Sequence, residues 1–175
     1  NEAGRQDYSS GNKLYIANSN TTVPLVAGDF SQARVGINTN ASTDLTHTLT
    51  VGGDVKAVDF EATASGTVYA DYVFEGYFGK EATINKDYKF TPLKDAITFV
   101  KENGHLPNVK SYKEVEANNF QISLTETSLK NLEKIEENFL YISELKSEND
   151  KLKIENKILE AKLNDILERL NNLEN

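Results

Sequence analysis

The chain is expected to be a fibrous α+β protein: intertwined trimeric β-structure followed by a short helical collar and a parallel C-terminal coiled coil. Three observations carry that expectation. The first part is rich in Thr, Ser, Asn, Gly, Ala and Val and breaks into short apolar runs closed by turn residues. A capped amphipathic segment follows Thr91, and from Ser123 to the end the chain contains neither Gly nor Pro. The corresponding boundaries are residues 1–80 for a β-rich, prism-like shaft, 81–122 for a collar of short helices and turns, and 123–175 for a trimerisation helix.

Composition narrows the functional classes first. The chain has 175 residues, a formal net charge of −8 and a pI near 4.9, so a general affinity for nucleic-acid phosphates or anionic lipid is not expected. The absence of cysteine excludes disulfides, thiol catalysis and thiolate metal sites. No run of eighteen apolar residues occurs, so membrane insertion is not expected, and the start at Asn1 suits a processed chain or a piece of a longer one.

Short strands are predicted in "KLYIAN", "TVPLVAGDF", "ARVGINTN" and "THTLTVGGDV". Val58, Phe60, Ala62 and Ala64, then Val68, Ala70, Tyr72 and Phe74, alternate with polar residues and predict a half-buried strand pair interrupted at Ser65-Gly66. One face of such a pair needs a cover.

From Thr91 the periodicity becomes helical. Thr91 is placed as N-cap, Pro92 at the first helical position, Leu93, Ala96, Ile97 and Val100 on one face, and Gly104 at the stop. Pro107 forces an extended path, and Ser111 to Glu114 has the capping-box form that opens one further helical turn. Ser123 and Glu126 repeat that spacing ahead of a helix predicted from about Leu124 to Leu173.

A helix of that length extends ~75 Å, too far for a small preceding domain to cover its apolar stripe, so the stripe is expected to face other copies of itself. Setting d at Leu145, Leu152, Leu159, Ile166 and Leu173 places a at Asn149, Asn156, Leu163 and Leu170. Leu132, Ile135, Phe139 and Ile142 form an earlier seam, and the two meet at a three-residue step expected to overwind the supercoil locally. The core rules leave strand number open, because buried Asn at a is tolerated by a dimer whereas Leu163 at a with Ile166 at d leans toward three or four strands. In "RLNNLE", Arg169 takes g and Glu174 the following e, so Arg169 can reach Glu174 of a neighbouring helix. Glu148 and Lys153 offer a second favourable interchain pair, and Glu155 with Glu160 an unfavourable one.

This Arg, apolar, two residues, apolar, Glu pattern resembles the trimerisation motif of short coiled coils, which implies three chains. At a larger scale, "GDFSQARVGINTN", "TLTVGGDVKAVDFEATASGTVYADYVFE" and "FVKENGHLPNVKSYKEVEANN" resemble the C-terminal portion of tail-fibre-like surface proteins of Bacteroidetes and their phages. Residues 28–40, 49–75 and 99–108 match the phrases of that family in its order, from a shaft strand through "YADYVFE" and "NGHLP" to a terminal coiled coil. The chain departs from it at "VGINTN", where a second glycine and a threonine are typical, and at residues 76–90, which the family passes more quickly. The resemblance implies a homotrimeric fibre outside the cell, on a cell surface, a virion tail or an injection device, with a surface glycan or protein receptor as partner and no enzymatic activity. It also leaves room for a non-proteolytic intramolecular assembly chaperone or a secretion-associated module for an upstream β-shaft, because some tail fibres end in a module that registers three chains before the slow β-shaft zips.

Chemistry-bearing residues are sparse. His105 follows the Gly104 stop and is expected to pack on the turn, and no companions at ligand spacing make it a metal site. Asp54, Asp59 and Asp71 lack the oxygen-rich loop of a calcium site, and the glycines form no phosphate loop, so no cofactor is expected. Tyr69, Tyr72, Tyr77 and Phe78 are read as an aromatic cluster, with packing between subunits preferred over contact with a receptor. Asn20-Thr21-Thr22 and Asn40-Ala41-Ser42 fit the short N-glycosylation pattern.

Overall fold

A computed structural model describes residues 11–40, 43–62, 69–79 and 83–173. The protein is mixed α+β and divides into two compact units, residues 1–61 and 62–175.

The first unit is a four-stranded sheet of β1 (Lys13–Ile16), β2 (Val26–Asp29), β3 (Arg34–Ile37) and β4 (Leu49–Val51), in that spatial order. Each strand falls inside one of the four predicted runs. β1, β2 and β3 form an antiparallel meander, whereas β4 lies parallel to β3 and needs the longer connection through Leu45. The β2–β3 turn is built by Asp29, whose Oδ1 accepts from the Ser31 amide (2.9 Å), the Ser31 hydroxyl (2.6 Å) and the Gln32 amide (3.1 Å). Its Oδ2 pairs with Lys13 Nζ at 2.6 Å, directly across the β1–β2 register.

The pleat gives the sheet two unlike faces. Tyr15, Ala27 and Gly36 share one row, and Leu45 packs over it against Ala27 and Tyr15. A Cβ on Gly36 would lie 2.4 Å from Leu45 Cδ2, so only glycine admits that cover. The other face is formed by Leu14, Gly28, Val35 and Leu49 in one row and Ile16, Val26, Ile37 and Val51 in the next.

The second unit contains α1 (Tyr72–Tyr77), α2 (Leu93–Asn103), α3 (Tyr112–Ala117) and α4 (Leu124–Leu173). The strand pair read across residues 58–74 is corrected here. Residues 58–62 form no strand, Tyr72 to Tyr77 is helical, and Ala64, Ser65, Gly66 and Val68 lie outside the described residues. Strand propensity loses because Tyr72 and Val73, adjacent in sequence, are both buried with Tyr88 and Leu140, which a period of two cannot achieve.

α2 begins one residue later than predicted. Pro92 takes the N-cap position with an extended ψ of 146°, and its carbonyl accepts from the amides of Asp95 and Ala96. Gly104 ends the helix at φ 76°, a left-handed conformation suited to glycine. Ser111 and Glu114 close a reciprocal capping box on α3, and the Ser123 hydroxyl accepts from the Glu126 amide at the start of α4. α4 then runs unbroken for 50 residues, through the step between Ile142 and Leu145.

Candidate functional site

Over the turns from Glu133 to Tyr141, α4 has two faces with opposite fates, and the polar one is buried. Glu133, Lys134, Glu136, Glu137, Leu140 and Tyr141 are covered, although four of the six carry charge. The cover comes from α1 and the segment that follows it. Tyr72 stacks at 4.8 Å on Tyr88 beside Val73 and Leu140, and Phe90 lies between Tyr77 (4.9 Å) and Tyr141 (5.3 Å). Each buried charge finds donors or counter-ions on this face, with one exception. Glu133 accepts from Tyr72 Oη and pairs with Lys130 (2.6 Å) and Lys134 (2.9 Å). Glu137 accepts from Tyr88 Oη (3.0 Å) and from Lys134 (2.8 Å). The exception is Glu136, whose Oε2 is buried with no hydrogen-bond partner.

The electrostatics follow from these contacts. Burial works against ionisation of Glu133, but hydrogen bonds from Lys130, Tyr72 and Lys134 outweigh it and hold the carboxyl below its ordinary range. Glu136 is shifted the other way, by burial and then by the nearby charge of Asp71. Burial and neighbouring carboxylates raise the hydroxyls of Tyr72 and Tyr88, and that of Tyr141 reaches about 12. Tyrosines held this firmly protonated serve as hydrogen-bond donors, which is their part here. Tyr141 donates to the Thr91 carbonyl at 2.6 Å and Tyr77 to Glu144 at 2.8 Å.

The apolar face of the same helix is uncovered. Ile135, Phe139 and Ile142 of the earlier seam are 63, 61 and 65 % exposed within three turns of the buried Glu133. Beyond Ile142 every described residue is exposed except the half-buried Asp150. The predicted contact residues Leu145, Leu152, Leu159, Leu163, Ile166, Leu170 and Leu173 are each at least half exposed, and Asn149 and Asn156 are exposed with them. The 3.6-residue turn sets them along one stripe of α4. Within the chain, Arg169 lies 4.0 Å from Asp165 and Lys153 4.0 Å from Asp150; Glu174 lies outside the described residues.

The remaining candidates are placed as follows. Tyr72 and Tyr77 pack within the chain, Phe78 meets Tyr77 edge-on while 68 % exposed, and Tyr69 stands apart and exposed. His105 packs edge-on against Phe99 at 5.3 Å, with Nδ1 3.0 Å from the Leu106 carbonyl. Ala41 and Ser42 of the second glycosylation pattern lie outside the described residues. Among the described residues no group of three or more His, Asp or Glu side chains is arranged to hold a metal ion, and no helix is long and apolar enough to cross a membrane. Sequence reasoning missed the buried Tyr–Glu–Lys network. Its one legible signal is the spacing of Lys130, Glu133, Lys134 and Glu137, which pairs charges at i, i+3 along a single stripe.

No family model matches the chain, nor does any curated protein or solved structure.

Proposed function

We propose that this chain is the C-terminal trimerising part of a non-enzymatic structural and adhesive fibre, a tail fibre or cell-surface fibre that works outside the cell and meets a surface glycan or protein receptor. α4 is the assembly element, joining two sister helices in a parallel three-stranded coiled coil through the stripe from Leu145 to Leu173. The observation that carries this reading is the leucine stripe from Leu145 to Leu173, left in water beyond the segment from Glu133 to Tyr141 that the chain covers itself. A solvated stripe of this length calls for a partner of the same length, and burying a large aliphatic side chain stabilises by roughly 1.5–3 kcal/mol. The g-to-e arrangement of Arg169 and Glu174 supports three strands, and the resemblance in residues 28–108 supports a fibre.

Native mass measurement tests the count. The reading expects three times 19.5 kDa for the full chain, with a shift toward smaller species in R169A and E174A. A monomer or dimer at micromolar concentration overturns it. For the adhesive role, removing α4 after assembly should leave receptor binding intact; loss of binding on removal would place the receptor contact in α4 itself.

A further inference from the structure

Two clefts of unlike chemistry meet in the second unit, away from the α4 stripe. The first has a volume of about 280 Å³ and is backed by the buried Glu133 and Tyr88. Those two are satisfied inside the chain, Glu133 by Tyr72, Lys130 and Lys134 and Tyr88 by Glu137. The side chains of Asp87, Lys89, Thr91 and Asn108, which complete the lining, have no hydrogen-bond or ion-pair partner among the described residues. Both rims are held in place. The Tyr141 hydroxyl donates to the Thr91 carbonyl at 2.6 Å, and the Val109 amide donates to the Leu106 carbonyl at 3.2 Å across the turn that sets Asn108 at φ 60°. The second cleft, about 170 Å³, has aliphatic walls in Val109, Val115 and Ile122. Asn108 and Lys130 line both clefts, so the polar and aliphatic halves join at these two side chains.

We propose that the joined clefts bind one N-acetylated amino-sugar residue, with its ring in the polar half and its acetyl methyl against Val109, Val115 and Ile122. The inference rests on the adhesive reading above and gives its glycan a site. Charge excludes an anion first. Lys89 and Lys130 are balanced by Asp87 and Glu133, and the whole chain carries −8, so an acidic ligand meets no net attraction. The free groups suit hydroxyls instead. A sugar hydroxyl both donates and accepts, and this lining offers donors in Lys89, Thr91 and Asn108 beside acceptors in Asp87, Thr91 and Asn108. Size limits the ligand to one ring, because the polar half falls at the lower end, about 300 Å³, of the range for small-molecule pockets. The aliphatic half then selects the substituent. A plain hexose would leave Val109, Val115 and Ile122 in water, and a fatty chain would bury the four free polar groups without partners. An acetamido group answers both, since its amide meets Asn108 at the junction and its methyl meets the aliphatic walls.

Saturation-transfer NMR on the full chain tests the site. The probes are the methyl β-glycosides of N-acetylglucosamine and N-acetylgalactosamine, those of glucose and galactose, and the dipeptide analogue N-acetylalanine methylamide. The proposal expects the acetyl methyl of at least one amino sugar to be the most strongly saturated group, with an affinity about tenfold above that of its parent hexoside. N108G keeps a residue suited to φ 60° but removes the amide, so it should weaken binding about tenfold, whereas I122S should abolish the preference for the acetamido group and spare hexoside binding. Wild-type melting curves for both variants show that the fold is intact, and K94A, on α2 away from the clefts, should bind as wild type does. Equal saturation of amino sugars and hexosides in the wild type, or signals that N108G and I122S leave unchanged, overturns the proposal. Stronger binding of the dipeptide analogue assigns the clefts to a peptide and overturns it as well. Adhesion of the chain to glycan-coated beads that N108G and K89A do not weaken overturns the site and leaves the adhesive reading standing. Absence of sugar saturation together with absence of adhesion to any glycan- or protein-coated bead overturns both.

Discussion

Replacing Leu159 by alanine separates an assembled stripe from a solvated one most sharply. Leu159 is 61 % exposed in the single chain, on a stretch of α4 with no other element over it. Were it to remain so, the change would be nearly silent, because Leu and Ala differ by only a few tenths of a kcal/mol in helix propensity, in favour of Ala. In a three-stranded core the same change removes three packed isobutyl groups from one layer. At roughly 2.5 kcal/mol per buried Leu→Ala substitution, the trimer loses about 7.5 kcal/mol. Trimer formation from monomers depends on the cube of concentration, so the midpoint concentration moves by the square root of the change in equilibrium constant, about 500-fold. Sedimentation equilibrium over a dilution series reads that shift, and helical ellipticity on heating reads the accompanying fall in melting temperature. Identical mass distributions and melting curves for L159A and wild type would refute the stripe as an interface.

Three further outcomes follow from the packed units. E133A removes the acceptor of the buried Tyr72 and leaves Lys134 paired with Glu137 alone, so it should cost about 1–3 kcal/mol in denaturant unfolding, with E133Q milder because it still accepts from Tyr72; equal midpoints for E133A and wild type would refute the network. G52A places a Cβ 2.0 Å from the Asn38 carbonyl oxygen, so β4 should lose protection from hydrogen exchange while α4 keeps its own; an unchanged exchange pattern at residues 49–51 would contradict the close approach. The pH dependence should differ in sign between Asp29 and Glu136. Hydrogen bonds from Lys13 and Ser31 depress the Asp29 carboxyl well below its ordinary 3.8, so its contribution is present above that value and is lost as pH falls toward the folded-state pKa. Burial raises Glu136 above its ordinary 4.5, so its carboxyl is best accommodated below that value and α1 docking weakens as pH rises through the folded-state pKa. Hydrogen exchange corrected for intrinsic rates should therefore show firmer α1 protection at mildly acidic than at neutral pH, a difference that E136Q abolishes; loss of α1 protection on mild acidification would reverse the assignment.

The elements that the sequence placed correctly are those specified by local chemistry. Gly104 stops α2 because a left-handed residue is needed there, Ser111 and Glu114 cap α3 through each other, and α4 continues because nothing between Leu124 and Leu173 interrupts it. The four strands fall within their apolar runs for a similar reason, each being short and closed by turn residues. Where an element's identity depends on a distant partner, local reading failed. Tyr72 to Phe74 has strand propensity and strand alternation, yet it is helical because Tyr72 and Val73 must both meet Leu140, more than sixty residues away.

The sequence by itself determined the α4 stripe and its period, since side chains 3.5 residues apart share a face whatever surrounds the helix. It determined as well the alternation in β1 to β4 that sets one face aliphatic. Tertiary structure alone decided which faces the chain keeps for itself. Glu133 and Glu137 of α4 are buried because Tyr72 of α1 and Tyr88 of the following segment bring hydroxyl donors to them, while the leucines stay in water. Periodicity marks an apolar stripe but carries no information on which stripe the rest of the fold will cover, because that depends on hydrogen-bond partners supplied from elsewhere in the chain.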